Sequence, residues 1–431
     1  MKRLTDVWNK IIAKDNLYLA LNNASRGRTQ RPHIKRVLEN KEEYIEKLYK
    51  QLKEQKYKTS NYSVITLYVP KKREIYRLPF YPDRIIHHAI INILEPFWMQ
   101  RFQYHSYACQ KGKGQHKGST QCMIYVRKYK YVLKCDISKF FPSVDHTILK
   151  NILSKQIKDK ILIKLLYEII DSVNNCKYNL VKGKNIPIGN LLSQWLGNVY
   201  LNELDKYVKY TLKIHPYIRY CDDFLLFSNN KKELHEYKEK LISFIESNLK
   251  LKMSKCSIFP VTRGVDFLGY RHFPKYILLR KRTVKRWNRF FRRIELPPTK
   301  RNIMQIASFN GITKWANSFN YKCALNIMNK YTDIKKDSNN LEGTKISIKD
   351  ILNKNIIIYA FRTLESRFHS NETIAQFQFA YNENNTNRFV CFTSSKAILN
   401  DLQTIPLDKF PFSTSVITKT SKNSFAYYTF S

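Results

Sequence analysis

Two adjacent acids, Asp222 and Asp223, lie between two runs of β-forming residues. Tyr217, Ile218 and Tyr220 come before them, and Phe224, Leu225, Leu226 and Phe227 after. This pattern predicts a β-hairpin with both carboxylates at its turn. Neighbouring negative charges repel unless a cation sits between them. A third carboxylate is then expected, and the candidate is Asp136, 86 residues upstream (222 − 136) at the end of the apolar run Tyr131–Cys135. Asp145 and Asp205 in the same region read as structural acids. Asp145 is placed to cap a helix that starts near Thr147.

The stretch between the acids is long enough for a helical crossover joining neighbouring strands. Within it, Leu191–Leu204 reads as a helix with Leu192, Trp195, Leu196 and Val199 packed under the sheet. Lys231–Leu249, beyond the hairpin, reads as an amphipathic helix. Upstream, Val64–Val69 and Ile75–Leu78 read as strands joined by a hairpin at Pro70–Glu74, and a helix opens near Pro82. Residues 1–60 read as basic and helical, with one amphipathic helix over Val37–Lys53. Lys335–Thr344 has linker composition. The tail has strand patterns at Ala375–Tyr381, Arg388–Phe392 and Ser424–Phe430.

Three boxes in this order carry a resemblance: Asp136-Ile-Ser-Lys-Phe-Phe141, Ile188-Gly-Asn-Leu-Leu-Ser-Gln194 and Tyr220-Cys-Asp-Asp223. Together they resemble the palm of bacterial retroelement reverse transcriptases, over roughly residues 15 to 325. The resemblance implies a right-hand polymerase that copies RNA into DNA. Asp136, Asp222 and Asp223 would be catalytic and, with the carbonyl of Ile137, would hold two Mg²⁺ ions, with Mn²⁺ as an alternative. Phe141 falls on the sugar-gate position, with Phe140 facing the core; a register shifted by one residue would exchange their roles. Ile188 and Gln194 stand where most of the family has Gln and Pro. That variant resembles the diversity-generating and defence-associated enzymes, and Gly189 would let the chain approach the nascent base pair.

The resemblance extends outward. Ser106–His116 is similar to a finger motif, with Gln110 where arginine is common, so Lys111 and Lys113 become the candidates for the triphosphate. Phe267, Leu268, Gly269 and Tyr270 match the primer grip. The cations Arg26, Arg28, Arg31, Arg77 and Arg84, and Lys285, Arg286 and Arg289 on a basic helix, are candidates for nucleic-acid contact. For Arg26, Arg28 and Arg31, packing of their segment against the fingers is the competing reading. His87 and His88 are adjacent on a helix, face different ways and read as packed or surface residues.

The balance of 76 Lys and Arg against 34 Asp and Glu gives a charge of +42, which points to a polyanionic partner. Eight cysteines without a CxxC pair exclude a zinc knuckle and a disulfide framework, and fit a reducing compartment. No signal peptide and no apolar run of transmembrane length are seen. The expectation is therefore a cytoplasmic α+β protein with no membrane partner. It would comprise a basic segment (1–60), fingers (61–130), palm (131–277), thumb (278–334) and a small α+β extension (345–431). The expected partners are dNTPs, a structured non-coding RNA as template and scaffold, and the cDNA product, with oligomer formation open. Antiviral defence is the favoured role. The alternatives are a diversity-generating enzyme, an RNA-dependent RNA polymerase, or a non-catalytic RNA-binding scaffold.

Overall fold

The computed structural model describes residues 2–68, 73–179, 181–294, 299–317, 341, 343–365, 373–382, 387–406, 409–420 and 426–431. The chain divides into two compact units: Met1–Trp287 with Trp315–Asn317, and Asn288–Lys314 with Ser318–Ser431.

The first unit opens with helices α1 (Trp8–Ile12), α2 (Lys14–Ser25), α3 (Pro32–Glu39) and α4 (Lys41–Lys53). The single helix expected over Val37–Lys53 is two helices, broken at Asn40, whose φ/ψ of −117°/38° lies outside the helical range. Strands β1 (Ser63–Leu67) and β2 (Arg73–Arg77) pair antiparallel, Ser63 opposite Arg77. Most of the turn expected at Pro70–Glu74 falls outside the described residues, as does most of the linker at Lys335–Thr344. Helices α5 (Ile85–Met99) and α6 (Gln115–Lys128) follow.

A four-stranded antiparallel sheet positions the acids. Its strands are β3 (Tyr131–Ile137), β4 (Tyr217–Tyr220), β5 (Asp223–Ser228) and β6 (Met253–Pro260), in the order β4-β5-β3-β6. Alternation puts Leu133, Cys135, Ile137, Phe224 and Leu226 on one face, inside the main core. That core includes residues of α7 (Phe140–Ser143), α8 (His146–Gln156), α9 (Lys160–Asp171), α10 (Leu191–Lys206) and α11 (Lys231–Leu249). Val132, Ile218, Leu225 and Phe227 take the other face, in a second core with Cys122 and Val126 of α6. Asp145 caps α8, its side chain accepting from Ile148 N at 3.1 Å. A three-stranded sheet, β7 (Val265–Phe267), β8 (Tyr270–His272) and β9 (Ile277–Leu279), is followed by helix α12 (Lys281–Phe291).

In the second unit, α13 (Lys300–Thr313) precedes a six-stranded sheet. Its strands are β10 (Thr344–Lys345), β11 (Asn355–Glu365), β12 (Thr373–Ala380), β13 (Phe389–Thr393), β14 (Phe412–Thr420) and β15 (Ala426–Phe430). Their order is β10-β13-β12-β11-β14-β15. The sheet has its own core of Ile356, Ile358, Phe377, Phe379 and Val416, which also takes in Ile398 and Leu402 of helix Lys396–Thr404.

Candidate active site

The turn between β4 and β5 is the two-residue loop Cys221-Asp222, because Tyr220 pairs directly with Asp223. Cys221 sits at φ +53°, the sign that tight hairpin turns require. Asp136 stands opposite Asp223 on β5 and opposite Lys255 on β6. One row across the sheet therefore reads Tyr220, Asp223, Asp136, Lys255, with Asp222 in the adjoining turn. Immediately after Asp136 the β3–β6 register slips, so Ile137 pairs with Met253 and Ser254 is the extra residue. A bulge re-aims side chains locally. Here Ser254 donates its hydroxyl to Asp136 Oδ2 at 2.6 Å.

These acids repel one another. Burial raises the pKa of Asp222, and the charge of Asp136 adds to the rise. Asp223 is pushed up to about 6, first by burial; Asp136 adds to this, and Lys134 opposes it. Lys134 Nζ lies 3.5 Å from Asp223 Oδ2, while Asp223 Oδ1 is buried without a hydrogen-bond partner. An orphaned carboxylate oxygen beside two further acids suits a hard cation with oxygen ligands. Among the described residues, no three His, Cys, Asp or Glu side chains converge as a ready-made metal cage. The backbone pairing brings the acids to one edge of the sheet. Ile137 is buried at the end of β3.

Phe140 is buried and Phe141 half-buried, and both lie against α10 at Gly197. A Cβ on Gly197 would come 3.2 Å from the Phe140 ring and 3.5 Å from the Phe141 ring. Ile188 is half-buried, and its carbonyl accepts from Tyr76 N of β2 at 2.8 Å. Gly189, at φ +115°, leaves no room for a Cβ, which would come 2.8 Å from Tyr76 O. The close approach that Gly189 permits here is thus to β2. Gln194 is exposed, with Cys109 Sγ 3.6 Å from its Oε1.

The two candidate triphosphate lysines are not alike. Lys113 donates to Tyr104 O at 2.7 Å and to Ser106 O at 2.9 Å, and burial lowers its pKa to about 8. It ties its own loop together. Lys111 is exposed, 3.5 Å from Glu95. Gln110 is buried and donates to Ser106 O at 3.1 Å. Sequence reasoning missed Arg73, an exposed residue of β2 whose charge lowers the pKa of Asp222. Its position two residues before Ile75 was the available signal, but the strand was expected to start later.

The Phe267–Tyr270 hairpin needs correction. Leu268 (φ +52°) and Gly269 (φ +89°) form its two-residue turn, with Phe267 opposite Tyr270. Both rings are fully buried, so neither can support a primer backbone by direct contact. Only Leu268 and Gly269 reach the surface. Gln115 Nε2 donates to Leu268 O at 2.7 Å and fixes the turn to α6. Among the cations, Arg26, Arg31, Arg77, Lys285, Arg286 and Arg289 are exposed, and Arg28 and Arg84 half-buried. His87 is buried, which lowers its pKa to about 4.

A second omission is larger. Arg219, three residues before Asp222, is fully buried and donates to Asp205 Oδ1 (2.7 Å) and Oδ2 (2.6 Å). Asp205, read from sequence as a structural acid, is also fully buried and accepts from Tyr217 Oη at 2.7 Å. The alternation of β4 hides a charge on a core position, and no spacing rule picks out its partner on α10.

The sequence profile of the reverse transcriptase (RNA-dependent DNA polymerase) family matches residues 69–272, and that of a domain of unknown function matches residues 342–431. Protein YkfC of Escherichia coli (strain K12) is 26% identical over 261 residues, covering 50% of this chain and 67% of YkfC. The group II intron-encoded protein LtrA of Lactococcus lactis subsp. cremoris is 24% identical over 299 residues, covering 53% of this chain. The chain spans only about half of LtrA, 49% of its length. The structure of apo telomerase from Candida Tropicalis truncated from C-terminal domain is 11% identical, with a TM-score of 0.39, covering 52% of this chain and 55% of that one. No helix among the described residues is long and apolar enough to cross a membrane. Residues 69–272 are thus similar in sequence to the reverse transcriptase family, and the chain is similar over about half its length to YkfC and to the group II intron-encoded protein LtrA.

Proposed function

We propose that this chain is a working RNA-directed DNA polymerase. The observation that carries the reading is the pairing of Asp136 with Asp223 across two strands, with Asp222 in the adjoining turn. Asp136, Asp222 and Asp223 would hold two divalent ions, Mg²⁺ or Mn²⁺. When bound, such ions would supply the charge that lowers the pKa of an attacking hydroxyl and offsets the charge of a leaving phosphate. The carboxylates fix the site where a primer end and a dNTP meet. Arg73 offers positive charge on the side of Asp222, and Lys255 on the side of Asp136. Phe141 lies on the hydrogen-bonded segment after β3, where a ring would exclude a 2′-hydroxyl.

The test compares wild type with Asp222→Ala/Asp223→Ala, given Mg²⁺, an RNA template, a primer and labelled dNTPs. Wild type should extend the primer and stop on chelation, and the double variant should be inactive while retaining RNA binding. Equal RNA binding with no incorporation by either protein would leave a scaffold instead.

The finer reading is a defence enzyme that copies its own structured non-coding RNA in the cytoplasm. The separately cored extension and the Ile188/Gln194 variant support it. Sequencing the RNA and DNA that co-purify from the host tests this. A single structured transcript with its cDNA is expected, whereas adenine-directed changes between repeat copies would indicate a diversity-generating enzyme.

A further inference from the structure

All five N–H donors of the Arg219 guanidinium have acceptors. Nε reaches Asp205 Oδ1 at 2.7 Å. Nη2 reaches Asp205 Oδ2 at 2.6 Å and Ser106 Oγ at 3.0 Å. Nη1 reaches Asn198 Oδ1 at 3.2 Å and Cys221 O at 3.0 Å. This rigid fork is what distinguishes arginine from lysine at a buried site.

Two of these acceptors belong to different working parts. The carbonyl of Cys221 is half of the two-residue turn that presents Asp222. Ser106 begins the loop that runs through Gln110 and Lys113, and both of those side chains donate to the Ser106 carbonyl. The backbone repeats the link, since Arg219 N donates to His105 O at 2.9 Å and Tyr107 N to Arg219 O at 3.0 Å. Asp205 and Asn198 both project from α10, so the guanidinium is anchored to the helix that lies under the sheet. A buried ion pair gains little stability over an apolar pair of the same shape. Its presence beside the catalytic turn is therefore better explained by the geometry it enforces.

We propose that Arg219 is a positioning residue that locks the Asp222 turn in metal-binding register and couples it to the Ser106–Gly114 loop. Asp205 and Asn198 hold the guanidinium, and Ser106 carries the link to the loop. This rests on the polymerase reading for its kinetic consequence, but not for its effect on metal binding. Lysine at position 219 keeps a charge opposite Asp205 and loses the fork to Cys221 O and Ser106 Oγ.

The experiment uses the full chain. Mn²⁺ binding is followed by electron paramagnetic resonance, folding by circular dichroism and thermal melting, and primer extension by kcat and KM for dNTP. Partners lying just behind metal ligands are typically worth about 10- to 100-fold in metal affinity or activity. Arg219→Lys should weaken Mn²⁺ binding and lower kcat within that range while keeping the wild-type dichroism spectrum. Ser106→Ala cuts only the link to the loop, so it should raise KM for dNTP and leave Mn²⁺ affinity at the wild-type value.

A merely structural role would lower the melting temperature of Arg219→Lys yet leave Mn²⁺ affinity per folded molecule unchanged, and that result overturns the proposal. Should Arg219→Lys fail to fold, Asn198→Ala, which removes one anchor, takes its place, with weakened Mn²⁺ binding supporting and unchanged binding overturning. A wild-type protein that binds Mn²⁺ but extends no primer refutes the polymerase reading while the Mn²⁺ comparison still stands.

Discussion

Asp205 and Arg219 show how far one buried charge reaches. Both side chains are fully buried, and the attraction of Asp205 raises the guanidinium pKa even though burial acts to lower it. Removing one partner strands the other in a low-dielectric core. Asp205→Ala should therefore destabilise the fold by about 3–5 kcal/mol, read as a lower midpoint in urea unfolding. A loss below about 1 kcal/mol would mean that Arg219 finds water or another acceptor. Phe141 makes a different prediction, because its half-buried ring rests beside Gly197, unlike the buried ring of Phe140. Trimming it to alanine opens space at the position where the sugar is expected. Phe141→Ala should raise the ratio of ribonucleotide to deoxyribonucleotide incorporation, and an unchanged ratio would remove Phe141 as the gate.

At the scale of elements, Gly189 joins the segment entering α10 to strand β2. Its φ of +115° and the 2.8 Å that would separate an added Cβ from Tyr76 O are two separate obstacles to a side chain. Gly183 has only the first, since at φ +76° nothing lies within 4 Å of where its Cβ would stand. Gly183→Ala should cost roughly 1 kcal/mol, and Gly189→Ala should cost more, by about 1–3 kcal/mol of added strain. Equal losses in thermal melts would show that β2 yields to the extra methyl. The strands bearing the acids were legible because β-formers flank charges that have no reason to be in a core. The α11 boundaries were legible from periodicity, with Lys231 and Leu249 as its ends. The break at Asn40 was not, because both flanking helices keep an apolar stripe and asparagine alone does not announce a stop. Strands β11 and β14 were missed for the opposite reason. Asn355–Glu365 carries a run of isoleucines without alternation, and Phe412–Thr420 is rich in Ser and Thr that read equally well as loop. The depth of Phe267 depends on the second core around Val265 and Cys122, which no local pattern reveals.

For the molecule as a whole, a charge of +42 on 431 residues governs how it meets nucleic acid. Each phosphate neutralised by lysine or arginine releases condensed counterions, so affinity falls as a power of salt concentration. With about 6–10 phosphate contacts, binding of a template–primer duplex should weaken roughly 10³- to 10⁵-fold between about 50 and 200 mM salt. The exposed Lys285, Arg286 and Arg289 of α12 are three cations on one helix, with Trp287 buried among them. If they lie along the duplex, replacing all three with alanine should flatten the log–log salt slope by up to about 3, one for each lost phosphate contact. The loss of affinity should also be uniform across template sequences, because backbone contacts carry no sequence information. Filter binding at five salt concentrations, with wild type and the triple variant on two unrelated duplexes, measures both. An unchanged slope would place the duplex elsewhere on the protein, while a sequence-dependent loss would mean that α12 touches bases.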